Sequence, residues 1–411
     1  MTATALQQEE HLPEAIVCKW CGKSFHYLKS HISMGRCENI PESAKGMDVD
    51  DVVKMYTSAF PDEPTISRMA LAKLNEKRAE KHSSEGKVAE ISAHPGYAGT
   101  VEYKTELVAA HELLGVTIKE LGTPRGKPLQ VTVNVNTPYP EFVPEAKKNY
   151  VYGDFDLIKD IFMMLEIGIP GYLWGHAGTG KSSLPTQLCA LLNRPLIRAQ
   201  HTASMEEAHV TGQILARDGS TYFEPGLLAL AMKNGWVYLA DEYDFAFPQI
   251  LGVYQPVLEG EPLIIKEATP DWRRITPHKR FAFIGTGNTN GSGDETGLYQ
   301  GTNIQNAANF SRFGIVSNVK YMSTKAEVNM LAEAGVIREY AEKMVKFANL
   351  VREGYEQHLI SQPIGPRELL LSAKIGMMRG DFSAGIEKSF INKLPSTSAQ
   401  AAREVVQKIF G

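Results

Sequence analysis

One segment of the chain combines glycines, a lysine and a serine in a spacing suited to phosphate binding. Residues 175–182 read GHAGTGKS, which fits the pattern G-x-x-x-x-G-K-[ST], and they follow the apolar run Ile169–Trp174. Glycines let successive backbone N–H groups point at phosphate oxygens, a role helped by the following helix N-terminus. Lys181 would neutralise the β- and γ-phosphates, and the Ser182 hydroxyl can ligate Mg²⁺. The predicted nucleotide-binding residues are Gly175, His176, Ala177, Gly178, Thr179, Gly180, Lys181, Ser182 and Ser183.

Two further strand-like runs end in residues that complete such a site. The apolar run from Trp236 ends in Asp241 and Glu242. Asp241 would hold Mg²⁺ through water, and Glu242 would polarise the attacking water. A third run, Phe281–Thr286, leads to Asn288, which could orient that water, although a lone Asn at this place is also typical of a turn. Together these runs predict ATP hydrolysis on a P-loop α/β fold.

A second cluster of chemically capable residues lies near the start of the chain. Cys18, Cys21, His31 and Cys37 have the spacing of a Zn²⁺ site, in which four N or S ligands surround the metal. His26 is the alternative histidine ligand, and a reduced segment without metal is the alternative to a zinc site. The cluster resembles a shortened Cys2His2 zinc finger in which cysteine replaces the last histidine.

The same segment carries four basic residues and no acid between residues 17 and 37, which is compatible with phosphate contact. These are Lys19, Lys23, Lys29 and Arg36. Small zinc modules bind proteins as readily as nucleic acids, so contact with DNA or RNA and contact with protein both remain open.

Composition sets broad limits on the protein class. The 411 residues are 43% hydrophobic and 22% charged, with a formal net charge of −4. These values are ordinary for a globular protein, and the whole surface is not basic enough to bind nucleic acid non-specifically. No apolar run is long enough to predict a membrane span, and the first 15 residues lack a secretory signal, so we expect a cytoplasmic address.

The motifs together resemble those of AAA+ ATPases. Gly175–Ser182, Asp241 with Glu242, Asn288, Arg312 and Arg367 are similar to the Walker A, Walker B, sensor 1, arginine finger and sensor 2 motifs. More narrowly, the chain resembles the MoxR group and its CobS branch, the ATPase subunit of aerobic cobaltochelatase. The segments that carry this narrower likeness are 241–244 (DEYD), 257–259 (VLE) and 296–302 (TGLYQGT).

The resemblance implies a homo-oligomeric ring, with six subunits as the expected number. Arg312 would reach into the neighbouring subunit's site, although Ser311 stands where the family usually has an aspartate. Arg367 would touch the γ-phosphate of its own site. The segment Thr211–Gly226 is similar to a hairpin that such rings direct toward their pore, and a plain surface hairpin is the alternative.

The resemblance also implies a client protein, which in this branch carries a von Willebrand-type (VWA) metal-binding domain. One output in the branch is metal insertion into a tetrapyrrole, for which the sequence shows no site of its own. The competing hypothesis is a zinc-finger protein whose ATPase ring acts on DNA.

The predicted fold is an AAA+ core, a parallel sheet with helices on both faces, plus a helical lid and a zinc module. The predicted divisions are a flexible tail at 1–16, a zinc-finger-like module at 17–40, a helical linker at 41–97, a small α+β segment at 98–139, the core at 140–322 and the lid at 323–411.

Overall fold

The computed structural model describes residues 15–61, 63–67, 70, 102–217 and 220–411. The chain divides into two compact units, residues 1–92 and 93–411. Most of the predicted tail at 1–16 and residues 71–97 of the predicted helical linker lie outside the described residues.

The first unit is a small module built around the cysteine cluster. Its core contains Phe25 and Leu28, together with Tyr56 from a second helix. Asp48 caps that second helix by accepting a hydrogen bond from the backbone N–H of Asp50. The elements of the module are β1 (Ile16–Val17), β2 (Ser24–Phe25), α1 (Leu28–Ser33) and α2 (Val49–Ala59).

The second unit contains the predicted α/β core. It begins with an antiparallel pair of strands, Thr105–Ala109 and Gln130–Asn134, whose buried Val131 joins the same apolar cluster as the helix Phe155–Ile167. The elements up to the third sheet strand are β3 (Thr105–Ala109), α3 (Ala110–Leu114), β4 (Gln130–Asn134), α4 (Phe155–Ile167), β5 (Gly171–Trp174), α5 (Ser183–Leu191), β6 (Leu196–Gln200), α6 (Glu207–Thr211), β7 (Gly212–Arg217), β8 (Ser220–Pro225), α7 (Leu227–Asn234) and β9 (Val237–Asp241). The core continues with α8 (Pro248–Leu251), α9 (Gln255–Leu258), β10 (Leu263–Ile264), α10 (Pro270–Arg273), β11 (Arg274–Ile275), β12 (Ala282–Gly287), α11 (Ala307–Phe310) and β13 (Ile315–Asn318).

Within the described residues, five strands form a parallel sheet in the order β13-β5-β12-β9-β6. Alternate side chains of β5, β6, β9 and β12 enter two different apolar clusters, because successive residues of a strand point to opposite faces. In β9, Tyr238 packs into one cluster and Leu239 into the other. Helices cover both faces, which confirms the predicted fold class.

The C-terminal part is helical, as predicted, and has its own apolar core. Its helices are α12 (Thr324–Glu333), α13 (Arg338–Glu356), α14 (Pro366–Arg379), α15 (Phe382–Ser389) and α16 (Ser396–Phe410). Arg352 binds the fully buried Glu327 through two hydrogen bonds of 2.8 and 2.7 Å and also donates to the Ile364 carbonyl. This buried pair ties α12 and α13 to the segment that enters α14.

The predicted hairpin is present, since β7 and β8 pair antiparallel from Gly212↔Pro225 to Arg217↔Ser220. Its predicted turn, Asp218-Gly219, lies outside the described residues. Ile214 and Tyr222 on the hairpin are exposed. Among the helices that the structure describes, none has the length and hydrophobicity of a membrane span.

Candidate active site at the carboxyl edge of the sheet

The three predicted ATPase motifs meet at one edge of the sheet because their strands are parallel neighbours. The P-loop follows the last residue of β5, Asp241 is the last residue of β9, and Asn288 follows β12. Ligands of open α/β sheets bind at this edge.

The P-loop holds Lys181 inside the site. Gly178 and Gly180 have φ values of +81° and +100°, which side-chain-bearing residues rarely adopt. The Lys181 ammonium donates to the carbonyls of Gly175 (2.7 Å) and His176 (2.9 Å) and to Asn288 Oδ1 (3.1 Å). Burial lowers the pKa of Lys181 to about 8, against the opposing effect of the nearby carboxylates. The predicted lysine and sensor asparagine are therefore in direct contact.

Asp241 is almost fully buried and joins the other strands to the P-loop. Its Oδ1 accepts hydrogen bonds from the hydroxyls of Ser182 and Thr286 (2.6 Å for Thr286), and its Oδ2 accepts from Arg198 Nε (2.7 Å). Burial acts to raise the pKa of Asp241, but these hydrogen bonds outweigh it and hold the pKa below its usual value. Ser182 and Asp241, the two predicted magnesium ligands, thus lie side by side.

Glu242 is exposed and sits in a left-handed backbone conformation with φ of +53°. Such conformations cost free energy in a non-glycine residue and concentrate at functional sites. The Gln200 amide at the end of β6 donates to Glu242 Oε2 at 2.6 Å. The Glu242 backbone N–H donates to Thr286 Oγ1 at 3.2 Å. These contacts fix an ionisable carboxylate next to Asp241, one of the two predicted magnesium ligands.

Asp244 positions the loop that carries Asn288. Its Oδ2 accepts hydrogen bonds from the backbone N–H groups of Asn288 (2.8 Å) and Thr289 (2.9 Å) and from the Thr289 hydroxyl (3.0 Å). Asp244 is fully buried, and burial raises its pKa. These contacts fix the backbone at Asn288 and Thr289. Asp244 therefore holds the Asn288 side chain at the position where it accepts a hydrogen bond from Lys181.

An aromatic cluster surrounds the P-loop residue His176. The ring of His176 is stacked on Tyr321 (centroids 5.8 Å apart) and lies edge-on to Tyr355 of α13. The Tyr299 hydroxyl lies 2.8 Å from His176 Nδ1 and accepts a hydrogen bond from the Ala177 N–H at 3.1 Å. The P-loop is therefore contacted by Tyr299 of the segment 296–302 and by Tyr355 of the helical C-terminal part.

Arg367 also lies at the P-loop. A methyl group added to Gly178 would lie 3.4 Å from the Cβ of Arg367, and one added to Gly365 would lie 2.7 Å from the Ala177 carbonyl. The N-terminus of α14 therefore packs on the P-loop. A cavity of about 520 Å³ adjoins this region and is lined by residues 150–157, by Thr179 and Gly180, and by residues 319–323.

Arg312 is the predicted site residue that the structure does not place with the others. Its Nε donates to Glu259 Oε1 at 2.7 Å, and a second nitrogen donates to the Ala308 carbonyl. About a quarter of its side chain is exposed. In this position, Arg312 hydrogen-bonds Glu259 and Ala308 rather than the predicted ATPase residues of its own chain.

The predicted zinc ligands come together in the first unit. The ligand atoms of Cys18, Cys21, His31 and Cys37 lie within 4.8 Å of one another. His31 lies on α1, whereas Cys37 follows that helix rather than belonging to it. The alternative ligand, His26, instead has Nδ1 3.0 Å from the Ser67 hydroxyl and is not part of the cluster.

The predicted basic patch is largely neutralised by acids from outside residues 17–37. Lys19 pairs with Glu63 at 2.8 Å, and Lys23 and Lys29 pair with Glu38 and Asp50. The lysines remain partly exposed, but each has a carboxylate beside it. This pairing weakens the argument for phosphate binding at the module.

Comparison with known proteins agrees with this site. Residues 172–302 match the family model of the AAA domain (dynein-related subfamily). The aerobic cobaltochelatase subunit CobS of Sinorhizobium sp. is 32% identical over 249 residues, which cover 58% of this chain and 74% of that protein. The chain belongs to the CobS family of AAA ATPases. The similarity to CobS covers 58% of this chain, and the family assignment concerns that part.

Two other similarities are more distant. An uncharacterised protein of Staphylococcus aureus (strain NCTC 8325) is 23% identical over 265 residues, covering 62% of this chain and 96% of that protein. The RuvB Holliday junction branch migration motor of Thermotoga maritima is 13% identical, with a TM-score of 0.38, covering 65% of this chain and 72% of that one.

Sequence reasoning missed several residues that shape the site. Arg198 and Gln200 lie at the end of β6, a strand whose polar residues carry no motif. A signal for them exists only in the alternation Arg198-Ala199-Gln200, which puts both polar side chains on one face of the strand. Asp244 and Tyr299 belong to segments that supported the family resemblance, but no spacing indicates that they contact Asn288 and His176.

Proposed function

We propose that the chain is a Mg²⁺-dependent ATPase that acts as a homo-oligomeric ring of six subunits and remodels a partner protein. The observation that supports it most is the joint placement of Lys181, Asn288, Ser182, Asp241 and Glu242 at one sheet edge. ATP would lie along the P-loop, with its base and ribose in the adjoining cavity.

The residues present fit a magnesium ion. The Ser182 hydroxyl donates its hydrogen to Asp241, which leaves its oxygen lone pairs available to a metal. Mg²⁺ retains several waters when it binds to proteins, so a single hydroxyl with one nearby carboxylate is an adequate site. When bound, Mg²⁺ would neutralise phosphate charge and orient the γ-phosphate.

The catalytic role of each residue follows from its contacts. Lys181 would exchange its two carbonyl partners for phosphate oxygens. Glu242 would accept a proton from the attacking water, since it is the exposed carboxylate of the group, whereas Asp244 is buried and engaged by backbone N–H groups. Asn288 would orient the water, and Arg367 would contact the γ-phosphate from α14.

Arg312 would act in the neighbouring subunit. It projects from the segment after α11, and Glu259 holds its guanidinium outside its own chain's cluster of site residues. An arginine supplied in trans stabilises transition-state charge, and an interface site makes hydrolysis dependent on assembly. The β7–β8 hairpin would then carry the force to a client, for which its exposed Ile214 and Tyr222 are suitable contacts.

The client would be a protein with a VWA domain, and the output a chelatase-like reaction. This part of the proposal is drawn from the relative, which is named as a subunit of aerobic cobaltochelatase. The N-terminal module would hold Zn²⁺ and contact protein in preference to nucleic acid, because its lysines are paired with acids. Burial raises the pKa of Cys37 to about 12, so a bound cation is what would keep this thiol ionised.

Replacing Lys181 tests the nucleotide site. We expect Lys181→Ala to weaken ATP binding by roughly 30-fold or more, the range seen when one member of a buried charge pair is truncated. Fluorescent-nucleotide titration measures this, with Lys279→Ala as an exposed lysine control. ATP binding of Lys181→Ala at wild-type affinity, with an unchanged melting temperature, would remove the P-loop assignment.

A further inference from the structure

Asp241 carries a positively charged partner that the reaction as proposed does not use. Arg198 donates to Asp241 Oδ2 through Nε at 2.7 Å and through a second guanidinium nitrogen. The other carboxylate oxygen accepts hydrogen bonds from Ser182 and Thr286. Both oxygens of this buried carboxylate are therefore engaged.

Arg198 and Asp241 differ sharply in exposure. The Arg198 side chain is 56% exposed, whereas that of Asp241 is 3% exposed. Arg198 lies on β6, an edge strand of the described sheet, and more than half of its side chain is open to solvent. It can leave the carboxylate for water at little steric cost, whereas Asp241 cannot move out of the sheet.

A guanidinium bound to Asp241 disfavours the binding of a second cation to the same carboxylate. Opposite charges stabilise a buried carboxylate, but two cations that share it repel each other, and each weakens the attraction of the carboxylate for the other. The metal position beside Ser182 would need water-mediated contact with Asp241. Oδ1 accepts from Ser182 and Thr286, so Oδ2, which Arg198 occupies, is the oxygen that departure of the guanidinium would free for that water.

We propose that Arg198 is a tethered cation that competes with Mg²⁺ for Asp241 and so sets the metal concentration that the site requires. Without metal, Arg198 neutralises the buried carboxylate. Metal binding releases the guanidinium to solvent. Arg198 is thus a positioning residue that acts through Asp241, and this inference rests on the magnesium site of the proposed function.

The test is a titration of the full-length protein with Mn²⁺ in the presence of ADP, followed by electron paramagnetic resonance of free Mn²⁺. The variants are Arg198→Gln, which removes the charge, and Arg198→Lys, which keeps it but loses the forked contact. Arg338→Gln is the matched control, since Arg338 is an exposed arginine paired with Glu342 on the lid. Melting temperatures without metal report on the fold of each variant.

We expect Arg198→Gln to bind Mn²⁺·ADP about fivefold more tightly or better, a typical size for coupling between two binding events. Arg198→Lys should lie between it and the wild type, and Arg338→Gln should match the wild type. The metal-free melting temperature of Arg198→Gln should fall, and Mn²⁺·ADP should restore it.

Unchanged or weaker Mn²⁺ binding by Arg198→Gln, with its fold intact, overturns the inference. If Arg198→Gln does not fold without metal, the Arg198→Lys variant provides the test. Mn²⁺·ADP binding by Arg198→Lys that is no tighter than binding by the wild type then overturns the inference. A wild-type protein that binds ADP but takes up no Mn²⁺ with it contradicts the magnesium site itself, and so the proposed function rather than this inference alone.

Discussion

Glu242→Gln is expected to bind ATP with near wild-type affinity and to hydrolyse it about 10² to 10⁴ times more slowly, the usual contribution of a positioned general base. Glutamine has the same shape but cannot take a proton from water. Its amide oxygen can still accept the hydrogen bond that Gln200 now donates to Glu242 Oε2, so the left-handed backbone at this position should persist.

Single-turnover phosphate release and equilibrium nucleotide binding measure the two halves of this prediction. Glu261→Gln is the matched control, because Glu261 is an exposed glutamate of the same unit. If Glu242→Gln turned over within threefold of the wild type, the general base would have to be another group, and the role given to Glu242 would be withdrawn.

Loss of one ligand from the cysteine cluster should release its metal and unfold the N-terminal module. Structural zinc sites in small modules contribute roughly 10 to 16 kcal/mol of apparent binding free energy, which is folding free energy. The module has a small apolar core, led by Phe25, Leu28 and Tyr56, and a core of this size is rarely sufficient alone. We therefore expect His31→Ala to contain no stoichiometric zinc.

The two histidines of the module provide a matched pair. His31 Nε2 lies 3.3 Å from Cys21 Sγ, whereas His26 contacts Ser67. His26→Ala should retain one zinc per chain and His31→Ala should lose it, as measured by elemental analysis. Hydrogen exchange of Leu28–Ser33 should become fast in His31→Ala. Equal zinc content in both variants, or no zinc in the wild type, would contradict the ligand set.

Motifs that are local in the chain were predictable from sequence. The functional residues of the P-loop, and likewise those of the cysteine cluster, lie within about twenty consecutive residues. One turn and one helix are enough to bring the residues of each motif together. The pairing of Ser182 with Asp241 was also predictable, because the parallel strands of one sheet bring their carboxyl ends to the same edge, and only β12 separates β5 from β9.

Contacts between distant segments were not predictable in this way. His176 and Tyr299 are 123 positions apart, and their contact depends on the path of the loop between β12 and α11. The pairing of the module's lysines with acids could not be predicted for the same reason. These acids include Glu63, which lies outside the segment whose charges were counted. Arg198 was missed because an arginine on an edge strand is typical of a solvated surface.

The most direct test of the account is steady-state ATP hydrolysis by wild type and Arg312→Ala, alone and mixed, with particle mass recorded by light scattering. The account predicts that Arg312→Ala assembles like the wild type, is inactive alone, and lowers the wild type's specific activity on mixing. Arg338→Gln, mixed in the same way, should leave it unchanged. Hydrolysis by Arg312→Ala at the wild-type rate, or full wild-type activity as a monomer, would contradict a site completed by a neighbouring subunit.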